Sequence, residues 1–244
     1  MNIDENSYKG LAELFTAEFW AKNFAKRTPG FTPAPFGNFQ FNIFKAYALY
    51  LTSQDVGYQW MNICQQLNID GLNNVAAAGL ASYYAYTEQA LVVTVSATEA
   101  YFNDRLADTI SKDNRTIKQY LDRKIEVKRI VETGLDLTKD IGILISETIN
   151  SQNIDEVQKE YNKVYGFEPF SDNDLTQLKK IFQIRHVIVH KSGYVDHFFL
   201  SQTGLKYQIG DRLCFERNEI LQMITFINKL ITNLEQKIKE RMVK

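Results

Sequence analysis

The sequence predicts an all-α protein, built as an up-and-down helical bundle with a small β-hairpin insertion and a helical N-terminal extension. Glycine and proline, which end helices, number only 12 and 4 among 244 residues. Neither residue type occurs over residues 80–133 or 211–244, so long helices are favoured there. Apolar residues also recur at helical spacing, and an apolar content of 45% with 23% charged residues excludes wholesale disorder.

The N-terminal extension is predicted to span residues 1–72, and the bundle residues 73–244. The extension is expected to contain helices over 5–27 and 41–67, on either side of a loop rich in proline, glycine and phenylalanine at 28–39. The small-residue run Asp70–Gly79 predicts the connector between the two parts.

The bundle is expected to consist of six helices joined by short connections. They are predicted over 80–112, 115–132, 137–150, 154–164, 172–191 and 216–242. Between the last two, the segment 197–215 carries turn signals at Thr203-Gly204 and Gly210-Asp211. These signals predict the β-hairpin insertion.

The C-terminal helix has the most regular apolar pattern in the chain. Six aliphatic residues follow one another at steps of 4, 3, 4, 3 and 4: Ile220, Ile224, Ile227, Ile231, Leu234 and Ile238. Such a seam is typical of packing within an antiparallel bundle, and a seam between two subunits is the alternative.

Charge and cysteine content narrow the class of protein. A formal net charge of −1 excludes a strongly basic protein that coats nucleic acid, although it leaves room for a local basic patch. Cys64 and Cys214 lie in separate apolar stretches and form no C-x-x-C pair, so we expect two buried, unpaired thiols in a cytoplasmic protein. The start of the chain does not resemble a signal peptide, and we expect no membrane span.

Arg185 is the first candidate functional residue, because it falls near the middle of the apolar arc of the helix predicted over 172–191. A guanidinium cannot lose its proton, so burying it without a partner would cost several kcal/mol. It therefore requires a carboxylate, a phosphate or a wet cleft. Glu99, which lies in the apolar stripe of the helix over 80–112, is the expected partner.

Two histidines lie close to Arg185. All three histidines of the chain fall within twelve residues, and His186 and His190 are four apart, on one flank of the same helix. Imidazole both gives and takes protons near neutral pH, so this pair is a candidate for acid–base catalysis.

The run Arg185–His190 resembles the R-x4-6-H signature of HEPN domains, and the segment Ala97–Phe102 is similar to an early bundle helix of that family. The resemblance covers at most residues 75–244. It implies a metal-independent endoribonuclease that acts as a homodimer, with two motifs facing each other across a cleft. RNA would be cut by attack of the 2′-hydroxyl on the adjacent phosphodiester, with no cofactor. The run Arg185–Asp196 is similar to versions from prokaryotic conflict systems, which implies a toxin or phage-defence role and an antitoxin or other regulatory partner.

The resemblance also implies a role for each residue of the motif. His190 would transfer protons, and Arg185 would hold the scissile phosphate and stabilise its developing charge. His186 stands where family members commonly carry Asn, Asp or His, and would help to orient the substrate. Glu99 would be a supporting carboxylate that positions Arg185.

Lys191 and Tyr194 are weaker candidates for contacts with phosphates or bases, and ordinary surface residues are the alternative interpretation. Two other functions stay open. Many members of the family are inactive, so the chain is alternatively a helical binding or dimerisation module. His186 and His190 also have the spacing of helical zinc ligands, with His197 as a third, although the glutamate of H-E-x-x-H is missing.

Overall fold

A computed structural model describes residues 34–67, 72–124, 140–215 and 218–242, and these residues form helices without strands. The helices are α1 (Pro35–Leu67), α2 (Leu72–Lys112), α3 (Asn114–Lys118), α4 (Ile141–Ser146), α5 (Ile154–Tyr165), α6 (Asp172–His190), α7 (His197–Thr203) and α8 (Glu219–Met242). The predicted all-α class is confirmed for this part of the chain. The helix predicted over 5–27 lies outside the described residues.

Helix α2 is the central element, since α1, α4, α5, α6 and α8 all pack against it. The rings of Phe36 and Phe39 near the start of α1 lie 6.4 and 5.6 Å from the ring of Tyr101 near the end of α2, so these two helices run antiparallel. Helix α8 packs against both. Its Lys239 ammonium lies 5.4 Å from the centre of the Phe36 ring, so the start of α1 meets the end of α8.

The seam of the C-terminal helix is internal to the chain. All six of its aliphatic residues are buried against the rest of the core: Ile220, Ile224, Ile227, Ile231, Leu234 and Ile238. The prediction of packing within the bundle is therefore confirmed. One acidic residue of α8, Glu235, is also buried, and it accepts a hydrogen bond of 2.9 Å from the Tyr101 hydroxyl and pairs with Arg105 at 3.2 Å.

The first two helices begin earlier than the sequence analysis predicts. Helix α1 starts at Pro35, a residue favoured at the first helical position because its φ is already helical and its missing N–H has no partner there. Helix α2 starts at Leu72, so the predicted connector Asp70–Gly79 is wrong from that residue onward. The three alanines of this segment have the highest helix propensity of any residue. Helix α1 shares the core of α2 and α8, and the division at 72/73 stays a prediction.

Two other predicted helices are shorter in the structure. The helix predicted over 115–132 is wrong at residues 119–124, where a turn follows α3, and residues 125–132 lie outside the described part of the chain. Tyr120 in that turn donates a hydrogen bond of 2.7 Å to Glu160 of α5, and this contact holds the chain against another helix. The helix predicted over 137–150 is confirmed only for α4, and residues 125–139 lie outside the described residues.

The predicted β-hairpin over 197–215 is wrong, because its first seven residues form α7. The Asp196 carboxylate caps this helix by accepting a hydrogen bond of 2.8 Å from the Phe199 N–H, and Gly204 ends it with a φ of 61°. These caps outweigh the β preference of the aromatic residues. The ends of the segment are still joined, since one antiparallel bridge links Tyr194 to Arg212.

Two smaller findings bear on the sequence expectations. Cys214 is exposed, so the expectation of a buried thiol is wrong there, and the side chain of Cys64 lies outside the description. None of the helices in the described ranges carries an apolar stretch of the length that a membrane crossing needs.

Candidate active site

The predicted pairing of Arg185 with Glu99 is present, because α6 packs beside α2. An Arg185 nitrogen, Nη2, lies 3.7 Å from Glu99 Oε2, and the two side chains are only 14% and 15% exposed. Burial raises the pKa of Glu99, while the positive charge of Arg185 acts in the opposite direction. At this distance the pair attracts without a direct hydrogen bond.

The pair leaves hydrogen-bonding capacity unused. Glu99 Oε1 and Arg185 Nε are buried and have no hydrogen-bond partner among the described residues. A buried polar atom without a partner costs roughly 1–3 kcal/mol. Both groups therefore gain from a ligand or a water molecule that supplies the missing bonds.

Both ends of α6 are fixed by local hydrogen bonds, which sets the position of the motif. Ser171 caps the start by accepting a bond of 3.2 Å from the Asp174 N–H. At the other end, Gly193 has a φ of 81° and donates its N–H to the Val187 carbonyl at 3.0 Å. Because the helix stops there, His190 lies in its last turn.

His186 and His190 lie side by side. Their ring centres are 4.8 Å apart, with the planes tilted by 46°. The pKa of His186 is lowered from its ordinary value of 6.5, chiefly by burial and next by the neighbouring His190. A lowered pKa favours the neutral imidazole, which is able to accept a proton. His190 itself is exposed.

An open cleft of about 340 Å³ lies beside the Arg185–Glu99 pair. It is lined by α2, α5, α6, α7 and the turn before α5, and its residues include Glu99, Asn150, Asn153, Gln183, Arg185 and His186. At its border, Lys179 of α6 pairs with Asp155 of α5 at 2.6 Å. The volume lies within the usual range for sites that bind small molecules.

The structure brings together three of the predicted site residues and places a fourth next to them. Glu99, Arg185 and His186 line the cleft, and His190 contacts His186 without lining it. Lys191 and Tyr194 do not line the cleft either. The Lys191 ammonium lies 3.9 Å from Asp196, and Tyr194 is 52% exposed, so their contacts with a substrate stay a prediction.

The sequence analysis missed the amide side chains of the cleft. Asn150 and Asn153 come from the turn before α5, and Gln183 comes from α6. A signal was present for Gln183, which lies three residues before His186 and therefore on the same side of the helix. No comparable pattern marks the two asparagines, because the turn that carries them is not periodic.

The three-histidine metal site considered as an alternative does not form. Within the described ranges, no three His, Cys, Asp or Glu side chains come together in an arrangement suited to a metal ion. His186 and His190 are neighbours, but His197 does not complete a ligand set with them.

Comparisons with protein families, curated proteins and solved structures add no relative to this geometry. No family model matches the chain. No curated protein and no solved structure matches it either.

Proposed function

We propose that this chain is a metal-independent endoribonuclease of the HEPN type, with its active site in the cleft beside Arg185. The observation that supports this most is the arrangement of a largely buried guanidinium and an imidazole on one cleft, with a second imidazole in contact with the first. RNA carries its own nucleophile, so its cleavage needs only a proton acceptor, a cation for the phosphate and an oriented strand.

In the proposed reaction, the 2′-hydroxyl attacks the adjacent phosphorus and loses its proton to His190. A bond forms between the 2′-oxygen and phosphorus, and the bond from phosphorus to the 5′-oxygen breaks. The 5′-oxygen takes a proton from the second motif of a homodimer, which leaves a 2′,3′-cyclic phosphate and a free 5′-hydroxyl. His186 orients the substrate and, through its contact with His190, helps to place both imidazoles for proton transfer.

Arg185 holds the scissile phosphate in this proposal. A guanidinium forms strong, charge-assisted hydrogen bonds with phosphate oxygens and stabilises the charge that develops on them. Glu99 acts as a positioning residue, because its carboxylate lies 3.7 Å from Nη2 and leaves Nε without a protein partner in the described part of the chain.

The surface around His190 supports a homodimer. Three large apolar side chains close to it in sequence are strongly exposed: Val189 at 45%, Tyr194 at 52% and Phe198 at 57%. A contiguous patch of exposed apolar residues marks an interaction surface, and we propose that these three side chains form one. A subunit contact here would bring two copies of His190 close together. The toxin or phage-defence role, the regulatory partner and the cytoplasmic location that we propose rest on the HEPN resemblance and on the sequence.

The test is an RNA cleavage assay with purified wild-type protein, Arg185→Ala and His190→Ala. We expect each variant to lose at least about 100-fold in rate, since removing one charge-stabilising or proton-transferring group typically costs that much. Mass spectrometry is expected to find 2′,3′-cyclic phosphate ends, and a chelator is expected to leave the rate unchanged.

Arg105→Ala is the matched control. Arg105 is also a largely buried arginine of the bundle that pairs with a glutamate, at 3.2 Å from Glu235, but it does not line the cleft. We expect this variant to lower stability and to keep its activity per folded molecule. Equal rates in wild type, Arg185→Ala and His190→Ala would refute the assignment. A wild-type protein that binds RNA or dimerises without cleaving would instead support the binding module.

A further inference from the structure

The cleft is polar but electrically balanced. Its two acidic residues, Glu99 and Asp155, lie 3.7 and 2.6 Å from its two basic residues, Arg185 and Lys179. Polyanionic backbones are bound by surplus positive charge, and the balanced lining supplies little of it. Apart from the place beside Arg185, the cleft is therefore better suited to an uncharged group that forms hydrogen bonds.

Amide side chains supply those hydrogen bonds. Five of them line the cleft: Asn150, Gln152, Asn153, Gln183 and Gln202. The side-chain oxygen of Asn150 accepts a bond of 3.1 Å from the Gln152 N–H, and that of Asn153 accepts one of 3.4 Å from the Glu156 N–H. Because the oxygens serve the backbone of the turn, the amide NH₂ groups of Asn150 and Asn153 are the parts that remain to donate to a ligand.

Gln183 supplies the complementary group. Its side-chain oxygen is buried and has no hydrogen-bond partner among the described residues. Since buried acceptors are almost always satisfied, this oxygen needs a donor, and its place in the cleft lets a ligand supply one. The cleft thus combines two donors from the turn before α5 with one acceptor from α6.

We infer that the cleft binds a single unpaired nucleobase, adjacent to the phosphate held by Arg185, and reads it through Asn150, Asn153 and Gln183. This inference rests on the proposed ribonuclease function and specifies its substrate. The Watson–Crick edge of every nucleobase carries both donors and acceptors, and unstacked bases of single-stranded RNA are read at this edge. A base whose pattern does not fit leaves buried polar groups unpaired, so binding discriminates among the four bases.

The test measures binding of the four nucleoside 3′-monophosphates to the full chain by calorimetry. These probes carry the base, the 2′-hydroxyl and the phosphate of the proposed site, and their binding does not depend on cleavage. We expect the tightest of the four to bind at least about tenfold better than the weakest, the usual discrimination of a bidentate contact with a base. Inorganic phosphate is expected to bind more weakly than the preferred nucleotide.

Gln183→Ala is the decisive variant, and Gln158→Ala is its matched control. Gln158 also has a buried side-chain oxygen without a partner in the described residues, but it lies on α5 and does not line the cleft. We expect Gln183→Ala to bring the four affinities within about threefold of one another. We expect Gln158→Ala to preserve the wild-type preference.

Equal binding of the four nucleotides, no binding of any of them, or a preference that survives in Gln183→Ala would each overturn this inference. Its failure is distinguishable from failure of the proposed function. RNA cleavage that depends on Arg185 but shows no base preference retains the ribonuclease and removes the base site. Discrimination that is lost in Gln183→Ala, in a chain that cuts no RNA, retains the nucleotide site and removes the ribonuclease.

Discussion

A charged side chain on the apolar side of a helix needs compensation, and Arg185 obtains only part of it from Glu99. The two groups lie 3.7 Å apart, and each keeps one buried atom without a partner in the described chain. Arg105 of the second buried pair also has an Nε without a hydrogen-bond partner among the described residues, but its glutamate, Glu235, accepts a hydrogen bond from Tyr101, and Arg105 does not line the cleft. What sets Arg185 apart is that both members of its pair have such an unsatisfied atom and both line an open cleft, where an anionic ligand can reach the guanidinium.

The lowered pKa of His186 has a testable cause. Burial is the largest contribution and the neighbouring His190 is the second. We expect the imidazole of His186 to titrate below 6.5 in the wild-type protein and to shift upward in His190→Ala, as followed by NMR. His197→Ala, which removes the remaining histidine, is the control and is expected to leave the His186 titration in place. An unchanged midpoint in His190→Ala would contradict the coupling.

The lowered pKa of His186 also makes the stability of the fold depend on pH. Since the folded pKa of His186 lies below 6.5, the unfolded chain binds this proton more readily. The contribution of His186 to the free energy of unfolding is present above pH 6.5 and is lost as the pH falls through the lowered pKa. For Glu99 the sign is opposite: its raised pKa contributes stability below its ordinary value of 4.5, and this is lost as the pH rises through the raised value.

At the scale of helices, the sequence was most informative where an apolar stripe and end signals agree. The bounds of α5 and α6 were predicted to within a residue, and in the structure Asn153 and Ser171 cap their starts while Gly166 and Gly193 follow their ends. The start of α1 was missed because Pro35 was interpreted as part of a loop, although proline is favoured at the first helical position. The start of α2 was missed because the alanines of the segment 70–79 favour a helix despite the glycine that follows them. The predicted hairpin was wrong because caps at both ends, Asp196 and Gly204, favour a helix there.

Some residues of the site were likewise predictable from the sequence and others were not. The Arg185–Glu99 pair was predictable, because a charge within an apolar stripe stands out against its neighbours and demands a partner. The amides of Asn150 and Asn153 were not, because they come together only through packing of the turn before α5 against α6. Their polar side chains look like those of any exposed turn.

The contact between α4 and α2 gives a prediction for a glycine. A Cβ at Gly142 would overlap the carbonyl oxygen of Ala107 and the hydroxyl of Ser111, which accepts a bond of 3.1 Å from the Gly142 N–H. We expect Gly142→Ala to lower the free energy of unfolding by about 1–3 kcal/mol, measured in urea. Gly37→Ala in α1 is the control, because nothing lies within 4 Å of its Cβ position. It is expected to be neutral or to stabilise by up to about 1 kcal/mol, and equal losses in both would contradict the steric argument.

At the scale of the whole molecule, the site is assembled by the helices that surround α2. Glu99 comes from α2 itself, Arg185 from α6, and Asn153 from the turn before α5. No helix alone carries the cleft, so its geometry exists only when these elements pack. Local unfolding of α6 or of the turn before α5 would remove it.

The exposed apolar side chains near His190 predict the subunit contact. We expect the wild-type protein to sediment with the mass of two chains, and Phe198→Ser to shift it toward one chain and to lower the RNA cleavage rate. Leu121→Ser is the control, because Leu121 is 73% exposed but lies in the turn after α3. A Phe198→Ser variant that stays dimeric and active would show that the two motifs do not meet at this surface.

The contact between Phe36 and Lys239 places the beginning of α1 next to the end of α8. Neither of these helices lines the cleft. A force applied at the start of α1 or at the end of α8 would therefore act first on the same packing, which also includes the Tyr101 ring of α2. The helix α6, which carries Arg185 and the two histidines, would be loaded only after this packing has separated.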